Sequence, residues 1–565
     1  QAMGKTKITV IRASAGTGKT YSLTEELRER LASQSIEPEQ VIAVTFTRAA
    51  AAELKERVRS KLFARGLNEA AQRMETALIG TVHSVCESLL RRFAFESGIS
   101  PEVEVLPEEE AAACFSEAVS SALTSDRTEE IGRIAARCSV DWIAAAAEVA
   151  QKARDNGIGP EALRAMAKRS EEGYLKYFMP PAWPNAAAAD NAFLAAIAAA
   201  IRRIESNRKE GGDETKLTSD FLLELKRMHQ KGSRMTWGER ASILGMKCGV
   251  GSREAAEPVI EMAFRQAAHP GLHADVAGLI AAVYGLAAAA LDRYDRWKKE
   301  RGLIDFTDME TLTAFTLLTN PAIEKNLRRE FKLLMVDEFQ DTSPVQLALF
   351  QRLGDIAGDV VWVGDRKQSI YKFRGCDPDL MEDAYSALKD TAKEKVLDAC
   401  YRSRAPLVDF CSAVFARTFV PLGYRREEFR LAAPRGNPPG LPSPVEVWSL
   451  ESKNAETDSL LIAEGVRRLL DPREKITVED RVTGKPRPVR PNDIAILRST
   501  NDQCEAISRV LGNIGISASV AQGGLTSTPE GVYVISSLEV VLDRSAALPA
   551  LLIQSLSGRA KTEAL

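Results

Sequence analysis

Two stretches decide the fold: residues 333–342 read Leu-Leu-Met-Val-Asp-Glu-Phe-Gln-Asp-Thr, and residues 360–375 read Val-Val-Trp-Val-Gly-Asp-Arg-Lys-Gln-Ser-Ile-Tyr-Lys-Phe-Arg-Gly. Each begins with four apolar residues, which is typical of a strand buried on both faces of a parallel sheet. Each then becomes polar, and in open α/β sheets ligands bind just beyond the carboxyl ends of the strands. The pattern predicts an α/β fold with a ligand site at one edge of the sheet.

The amino-terminal residues show the same alternation of strand and helix. Residues 7–13 are a β-branched run that meets a glycine-rich turn, and a helical pattern starts at Thr20. Residues 41–45 form a second such run, followed by a helical segment at 49–58. This order predicts a parallel sheet with helices on both faces.

Composition is that of an ordinary globular protein, with 45% hydrophobic and 27% charged residues. At about 150 residues per domain, a chain of 565 residues predicts three or four domains. The net charge of -3 does not indicate a nucleic-acid binder. Residues 1–95, however, carry 15 Lys and Arg against 10 Glu and no Asp, so any phosphate-binding surface is expected to be local.

Cysteine usage and hydropathy bear on the cellular compartment. The eight cysteines are scattered without a C-x-x-C pair, which disfavours a zinc or iron–sulfur centre and fits a reducing cytoplasm. The best membrane candidate, residues 276–291, is shorter than the roughly 20 residues of a membrane span, so a buried helix is expected. No signal peptide is evident. We therefore expect a cytoplasmic protein that does not contact a membrane.

Residues 108–299 differ from the rest in being alanine-rich and poor in β-branched clusters. They predict a helical insertion, with a proline-rich loop at 179–184, between two parts of one sheet. Residues 434–444 are a Pro/Gly linker. Beyond it we expect strands at 445–450 and 493–497, a loop or hairpin at 477–490, and a helix at 503–511.

The glycine-rich turn, Ala13-Ser-Ala-Gly-Thr-Gly-Lys-Thr20, has the composition of a phosphate-binding loop, although Ala13 replaces the usual first glycine. Backbone N–H groups of such a turn cradle phosphates, while Lys19 adds a positive charge and Thr20 a hydroxyl for Mg²⁺. The alternative is a glycine-rich turn without a ligand. The expected nucleotide-contacting residues are Ala15, Gly16, Thr17, Gly18, Lys19, Thr20 and Tyr21.

Polar groups that follow the two later strands complete the predicted nucleotide site. Asp337 can hold Mg²⁺ through water, and Glu338 can polarise the attacking water. Gln368 follows the next strand, where a neutral amide can contact the γ-phosphate and respond to its loss. The alternative is that Asp337 caps a helix and Glu338 is solvated.

Aromatic and cationic residues near these strand ends are suited to a nucleic-acid strand. Aromatics stack on bases for ~1–3 kcal/mol each, and arginine reaches phosphates. Tyr371 and Phe373 can instead be packing residues. His83 reads better as a structural or phosphate-contacting residue than as an acid–base catalyst, because no carboxylate or nucleophile is near it in sequence. The candidates are Thr45, Phe46, Thr47, His83, Ser84, Tyr371, Phe373 and Arg374.

Taken in order, these segments resemble the superfamily 1 helicases of the UvrD/Rep/PcrA group, and within it the RecB and AddA motor subunits of recombinational helicase–nucleases. The resemblance implies ATP and Mg²⁺ as cofactors, single- and double-stranded DNA as partners, and possible assembly with a partner subunit. It also implies 3′→5′ movement and a role in recombination and double-strand break repair. Lys19, Glu338, Gln368 and Arg402 would be catalytic, and Tyr401 would stack on adenine. The segments that carry it are residues 13–20, 45–54, 80–84, 303–308, 334–342, 363–375 and 397–403.

The resemblance also assigns domains. RecA-like motor domain 1A takes residues 4–107 and 300–375, helical domain 1B takes 108–299, and a partial second RecA-like domain, 2A, takes 376–565. Cys400 stands where the family has a polar residue, and the upstream glutamine that reads adenine is missing. No motif V or VI follows Ser403, so we expect an amino-terminal fragment ending near the start of domain 2B. Its hydrolysis should be weak without the arginine finger of motif VI.

Two other functions remain open from the residues alone. One is a nucleotide-gated DNA-binding scaffold that does not hydrolyse ATP. The other is a small-molecule or nucleotide kinase that uses the same phosphate loop. The aromatic and cationic run that follows Gln368 argues against a kinase, which needs no base-stacking track.

Overall fold

The computed structural model describes residues 6–123, 125–209, 214–370, 378–388, 391–443, 445–451, 454–480, 483–520 and 529–542. Contacts divide the chain into two compact units, residues 1–398 and 399–565. Three predicted nucleic-acid contacts, Tyr371, Phe373 and Arg374, lie outside the described residues.

A parallel sheet forms the centre of the first unit. Among the described residues its strand order is β3-β2-β6-β7-β1-β8, with every neighbouring pair parallel, while β4 and β5 pair separately. The α/β fold and the strands predicted at 7–13, 41–45, 333–336 and 360–363 are confirmed. The strands are β1 (Lys7–Ala13), β2 (Val41–Thr45), β3 (Leu78–Thr81), β4 (Glu104–Val105), β5 (Leu303–Ile304), β6 (Leu333–Val336), β7 (Asp359–Gly364) and β8 (Lys393–Leu397).

Helices cover both faces of this sheet and build the insertion. The helices of the first unit are α1 (Lys19–Ala32), α2 (Arg48–Phe63), α3 (Asn68–Arg73), α4 (Val82–Arg92), α5 (Glu108–Ala122), α6 (Ser125–Cys138), α7 (Trp142–Asp155), α8 (Pro160–Leu175), α9 (Ala186–Lys209), α10 (Lys216–Lys231), α11 (Trp237–Ser242), α12 (Arg253–Phe264), α13 (Pro270–Arg301), α14 (Phe306–Thr319), α15 (Pro321–Glu330), α16 (Pro344–Ala357) and α17 (Pro378–Leu388). Side chains alternate between the two faces of β1. Ile8 and Val10 join a core with α4, α14 and α16, whereas Ile11 joins a core with α1 and α2.

The described residues between 108 and 301 confirm the predicted helical insertion. The 32-residue helix α13 packs against α5, α7 and α8, and its alanines allow close approach. A second core lies among α9, α10 and α12. The predicted loop at 179–184 is irregular, and residues 276–291 lie within α13, as expected of a buried helix.

A buried ion network joins the insertion to the start of α14. Lys298 Nζ on α13 donates to Asp305 Oδ2 at 3.1 Å and to Asp308 Oδ2 at 2.5 Å, and Arg154 on α7 also pairs with Asp305. Asp305 caps α14 by accepting from the Asp308 N–H at 3.0 Å. Losing one partner of a buried pair leaves the other charge uncompensated. The network therefore fixes where α14 begins.

The second unit is smaller. Its described helices and strands are α18 (Ala405–Phe419), α19 (Ala455–Leu469), α20 (Asn501–Asn513), α21 (Pro529–Leu542), β9 (Thr477–Glu479) and β10 (Pro486–Pro488). The antiparallel pair β9–β10 confirms the predicted hairpin, and α20 confirms the helix at 503–511. The strands predicted at 445–450 and 493–497 are wrong. Val447 and Leu497 there are 90% and 91% exposed, and an apolar run becomes a strand only beside a partner that completes its hydrogen-bond ladder.

Two helical stretches in the described part of the chain, Val250–Arg301 and Ala405–Leu422, are long and apolar enough to cross a membrane by length and composition. The most apolar window of the first is 44% buried inside the protein, as in a core helix. The corresponding window of the second is 6% buried. Length and composition alone are weak indications of a membrane span.

Candidate functional site

Residues 13–20 form a tight turn between β1 and α1. Gly16 and Gly18 have φ angles of 76° and 90°, a left-handed conformation that favours glycine. The Thr17 hydroxyl donates to the Ser14 carbonyl at 2.7 Å, which closes the turn. Gly18 caps α1 without a side chain, so the first N–H groups of this 14-residue helix point into the turn without partners in the helix. Such a turn can receive an anion.

Lys19 lies where the ends of three adjacent strands meet. Its Nζ donates to Glu338 Oε2 at 2.5 Å and to Gln368 Oε1 at 3.4 Å. The Lys19 side chain is 13% exposed, so its charge is largely removed from water. The structure thus brings together three residues predicted from positions more than 300 apart in the chain, whose catalytic roles remain predictions.

Gln340 is a site residue that the sequence reasoning missed. Its Nε2 donates to Glu338 Oε2 at 2.7 Å and to Asp341 Oδ2 at 3.1 Å, and its Oε1 accepts from the backbone N–H of Asp365 at 2.9 Å. Asp365 Oδ2 in turn accepts from Gln368 Nε2 at 2.7 Å. Gln340 therefore links the polar residues beyond β6 to those beyond β7. Its place between acidic residues in the sequence is the signal that could have found it.

The backbone at Glu338 is strained. Its φ and ψ are 50° and 40°, a left-handed conformation that costs a residue with a Cβ free energy. The neighbouring Asp337 N–H donates to the Val44 carbonyl at 3.0 Å, and Asp337 Oδ1 accepts from the Glu338 N–H at 2.9 Å. These bonds hold the reversal that turns the Glu338 side chain toward Lys19.

The acidic groups beyond β6 suit a cation. Burial and the nearby Glu338 charge raise the pKa of Asp337 to about 6, and the same two causes raise the pKa of Asp341 to about 6. Crowded carboxylates of this kind are relieved by a bound cation. No group of three or more His, Cys, Asp or Glu able to hold a metal occurs in the described residues. This fits Mg²⁺, which is commonly bound by one carboxylate, a hydroxyl, water and substrate phosphates.

The raised pKa predicts how the stability of the metal-free chain depends on pH. Between about pH 4 and pH 6 folded Asp337 binds its proton more tightly than the unfolded chain does, so the free energy of unfolding falls as the pH rises through this range. Asp337→Asn should therefore stabilise the metal-free chain at pH 8 by on the order of 2 kcal/mol, since one pKa unit is about 1.4 kcal/mol. Thermal unfolding in EDTA at pH 5 and pH 8 measures this, with exposed Asp220→Asn as the control. No gain at pH 8 would contradict it.

Three predicted nucleic-acid contacts follow β2, at the same sheet edge. The side chain of Thr45 is buried, and its hydroxyl donates to the Thr47 carbonyl at 3.0 Å. Thr47 is exposed and caps α2 by accepting from the Ala50 N–H at 3.1 Å. Phe46 is half-buried. In this structure, therefore, Phe46 and Thr47 face solvent while Thr45 shapes the turn beneath them.

His83 and Ser84 begin helix α4 after the edge strand β3. His83 Nε2 lies 3.1 Å from Glu310 Oε1, and its ring stacks on Phe306 with a centroid distance of 4.3 Å and an interplanar angle of 17°. Ser84 is exposed, and its N–H donates to the capping hydroxyl of Thr81 at 3.2 Å. The sequence interpretation found no carboxylate near His83, because Glu310 lies more than 200 residues away in the chain.

The remaining predicted contacts are exposed aromatic and basic residues. The Tyr21 side chain is 60% exposed, and Lys61 Nζ lies 4.1 Å from its ring centroid. In the second unit, Tyr401 is 64% exposed, and the Arg402 carbonyl accepts from Arg435 at 2.5 Å. Tyr401 and Arg402 lie in an irregular segment just after the unit begins. Their contacts with nucleotide remain predictions.

A parallel sheet with a phosphate loop after its first strand and an Asp-Glu pair after a neighbouring one defines the class of P-loop nucleoside triphosphatases. The UvrD/REP helicase N-terminal domain family matches residues 1–222 and 275–389 of this chain. The chain belongs to that family.

Curated relatives agree with this assignment. The chain is 25% identical to the AddA subunit of the ATP-dependent helicase/nuclease of Lactobacillus delbrueckii subsp. bulgaricus, over 86% of this chain and 46% of that protein. It is 25% identical to the protein of the same name from Staphylococcus carnosus, over 94% and 48%, and 27% identical to that from Desulforudis audaxviator, over 73% and 39%. The chain spans about half the length of the first two relatives.

Proposed function

We propose that this chain is the motor portion of an ATP-dependent DNA helicase. It hydrolyses ATP with Mg²⁺ and moves 3′→5′ on single-stranded DNA during recombination and double-strand break repair. It works in the cytoplasm and assembles with a partner subunit of a helicase–nuclease. Family membership and the names of the relatives support the helicase class.

The observation that carries the proposal is that Glu338 and Gln368 share one cation, Lys19. ATP phosphates attract the Lys19 ammonium and compete with both partners for it. Nucleotide binding would therefore release Glu338 to polarise water and change the hydrogen bonds of Gln368. Because Gln368 is followed by the predicted base-contacting residues, phosphate occupancy would be passed to the DNA track.

The groups that would hold the cofactor belong to the same edge. Thr20 and Asp337 would hold Mg²⁺, which neutralises charge on the β- and γ-phosphates. Glu338 would orient the attacking water from its fixed left-handed backbone. Tyr401 would stack on adenine and Arg402 would approach the γ-phosphate.

We propose the domain assignment on the same basis. Residues 4–107 and 300–375 form motor domain 1A, residues 108–299 form domain 1B, and residues 376–565 belong to a second motor domain. DNA would lie across Phe46, Thr47 and His83 at the carboxyl edge of the first sheet.

Linked binding tests the proposal. The affinity for fluorescent oligo-dT, measured by anisotropy at fixed salt with and without Mg·ATPγS, should change by about fivefold or more, which is the usual lower range of coupling between sites. A kinase that uses the same loop would bind nucleotide but show no linkage to oligo-dT. Absence of oligo-dT binding, or an affinity indifferent to nucleotide, would overturn the proposal.

A further inference from the structure

Glu310 is a buried acidic residue on α14, outside the nucleotide site. Only 7% of the residue is exposed, and one carboxylate oxygen, Oε1, meets two partners. His83 Nε2 lies 3.1 Å from it, and Gln346 Nε2 donates to it at 2.7 Å. A buried carboxylate retained in this way is satisfied by the two donors, and hydrogen bonds to a charged acceptor are stronger than neutral ones.

The His83 end of this bridge faces the predicted DNA. The His83 side chain is 38% exposed, so one side of the ring remains open to solvent. Phe306 supports its face at 4.3 Å, and Glu310 fixes its Nε2. β3, which precedes His83, is the sheet neighbour of β2, which precedes Phe46. The imidazole is therefore held in one orientation beside the other predicted DNA contacts.

The Gln346 end leads to the nucleotide site. Gln346 Oε1 accepts from the Ser343 N–H at 3.2 Å, and the Ser343 hydroxyl accepts from the Gln346 N–H at 3.2 Å, so the two residues cap α16. A single short turn, residues 339–341, separates Glu338 from this cap. A displacement at Glu338 would thus reach the amide that holds Glu310.

The support beneath Glu310 is rigid. The amino-terminal end of α14 is held by Asp305, whose carboxylate pairs with Lys298 and Arg154. Glu310 lies one turn further along the same helix, between α4 and α16. Rigid, contiguous contacts of this kind can carry energetic coupling between two sites.

We propose that Glu310 is a positioning residue that couples the predicted DNA contact at His83 to the nucleotide site through Gln346. The proposal rests on the proposed function, because it assumes that both ligands bind. Glu310 would contact neither ATP nor DNA and would act only through the two side chains that it joins.

Two near-isosteric variants separate coupling from simple stabilisation. Glu310→Gln removes the charge that orients both donors, and Gln346→Leu removes one arm while leaving His83 bonded to Glu310. In both variants, the effect of Mg·ATPγS on oligo-dT affinity should fall from about fivefold or more to near onefold. Gln346→Leu should also keep wild-type oligo-dT affinity without nucleotide. A purely structural role would lower thermal stability but leave the ratio of the two affinities unchanged.

Exposed Glu96→Gln is the matched control and should keep the wild-type ratio. If both variants keep the wild-type ratio, Glu310 is not a coupling residue, and the proposed function stands. If the wild-type chain itself shows no linkage, the proposed function fails first. Should Glu310→Gln fail to fold, as judged by circular dichroism, Gln346→Leu decides alone.

Discussion

Replacement of Lys19 by alanine is expected to abolish measurable Mg·ATP binding, with an affinity loss of about 100-fold or more, equivalent to about 2.8 kcal/mol. The variant removes the cation that phosphates would contact. It also leaves Glu338, until then neutralised at 2.5 Å, as an unpaired negative charge facing the phosphates. Both effects oppose binding of a polyanion. Titration calorimetry with Mg·ATPγS measures the loss.

Exposed Lys325→Ala, on helix α15, is the control for this substitution, because it removes a lysine charge away from the phosphate turn. It should bind Mg·ATPγS as the wild-type chain does. Circular dichroism should show that both variants are folded. Unchanged nucleotide affinity in a folded Lys19→Ala variant would refute the assignment of the phosphate site.

Glu338→Gln is expected to lower the ATP hydrolysis rate by about 10²–10⁴-fold, the range usual for a lost general base. Glutamine keeps the shape of the side chain and tolerates the same left-handed backbone, so the fold should persist. Nucleotide affinity should be retained or should rise, because the amide no longer holds Lys19 as a charged partner. Steady-state hydrolysis and calorimetry on the same variant separate the two quantities.

The matched control for this second substitution is Glu109→Gln, which is exposed at the start of the helical insertion. Its hydrolysis rate and nucleotide affinity should equal those of the wild-type chain. A Glu338→Gln variant that hydrolyses ATP at the wild-type rate would show that another group activates the water.

Much of the first unit could be predicted because its determinants are local. The buried runs at 7–13, 41–45 and 333–336 have the predicted bounds, since an apolar run flanked by turn residues signals a buried strand without reference to distant residues. The phosphate turn is equally local, because Gly16 and Gly18 are required by its own backbone angles.

What could not be predicted depends on contacts distant in sequence. Glu310 and Gln340 carry no local signal that would name their partners, because His83 and Asp365 meet them only after the sheet is assembled. The same cause explains the wrong strands at 445–450 and 493–497, where alternation and apolarity were right but a neighbouring strand was lacking in the described residues.

The central claim is that this fold converts ATP hydrolysis into action on single-stranded DNA. The most direct measurement is the steady-state ATP hydrolysis rate of the chain with Mg²⁺, with and without saturating oligo-dT, beside Glu338→Gln. The account predicts a rate, however slow, that rises with oligo-dT and disappears in the variant. If ATP and oligo-dT both bind but the rate is indifferent to DNA, the chain is a nucleotide-gated scaffold and the motor assignment is wrong.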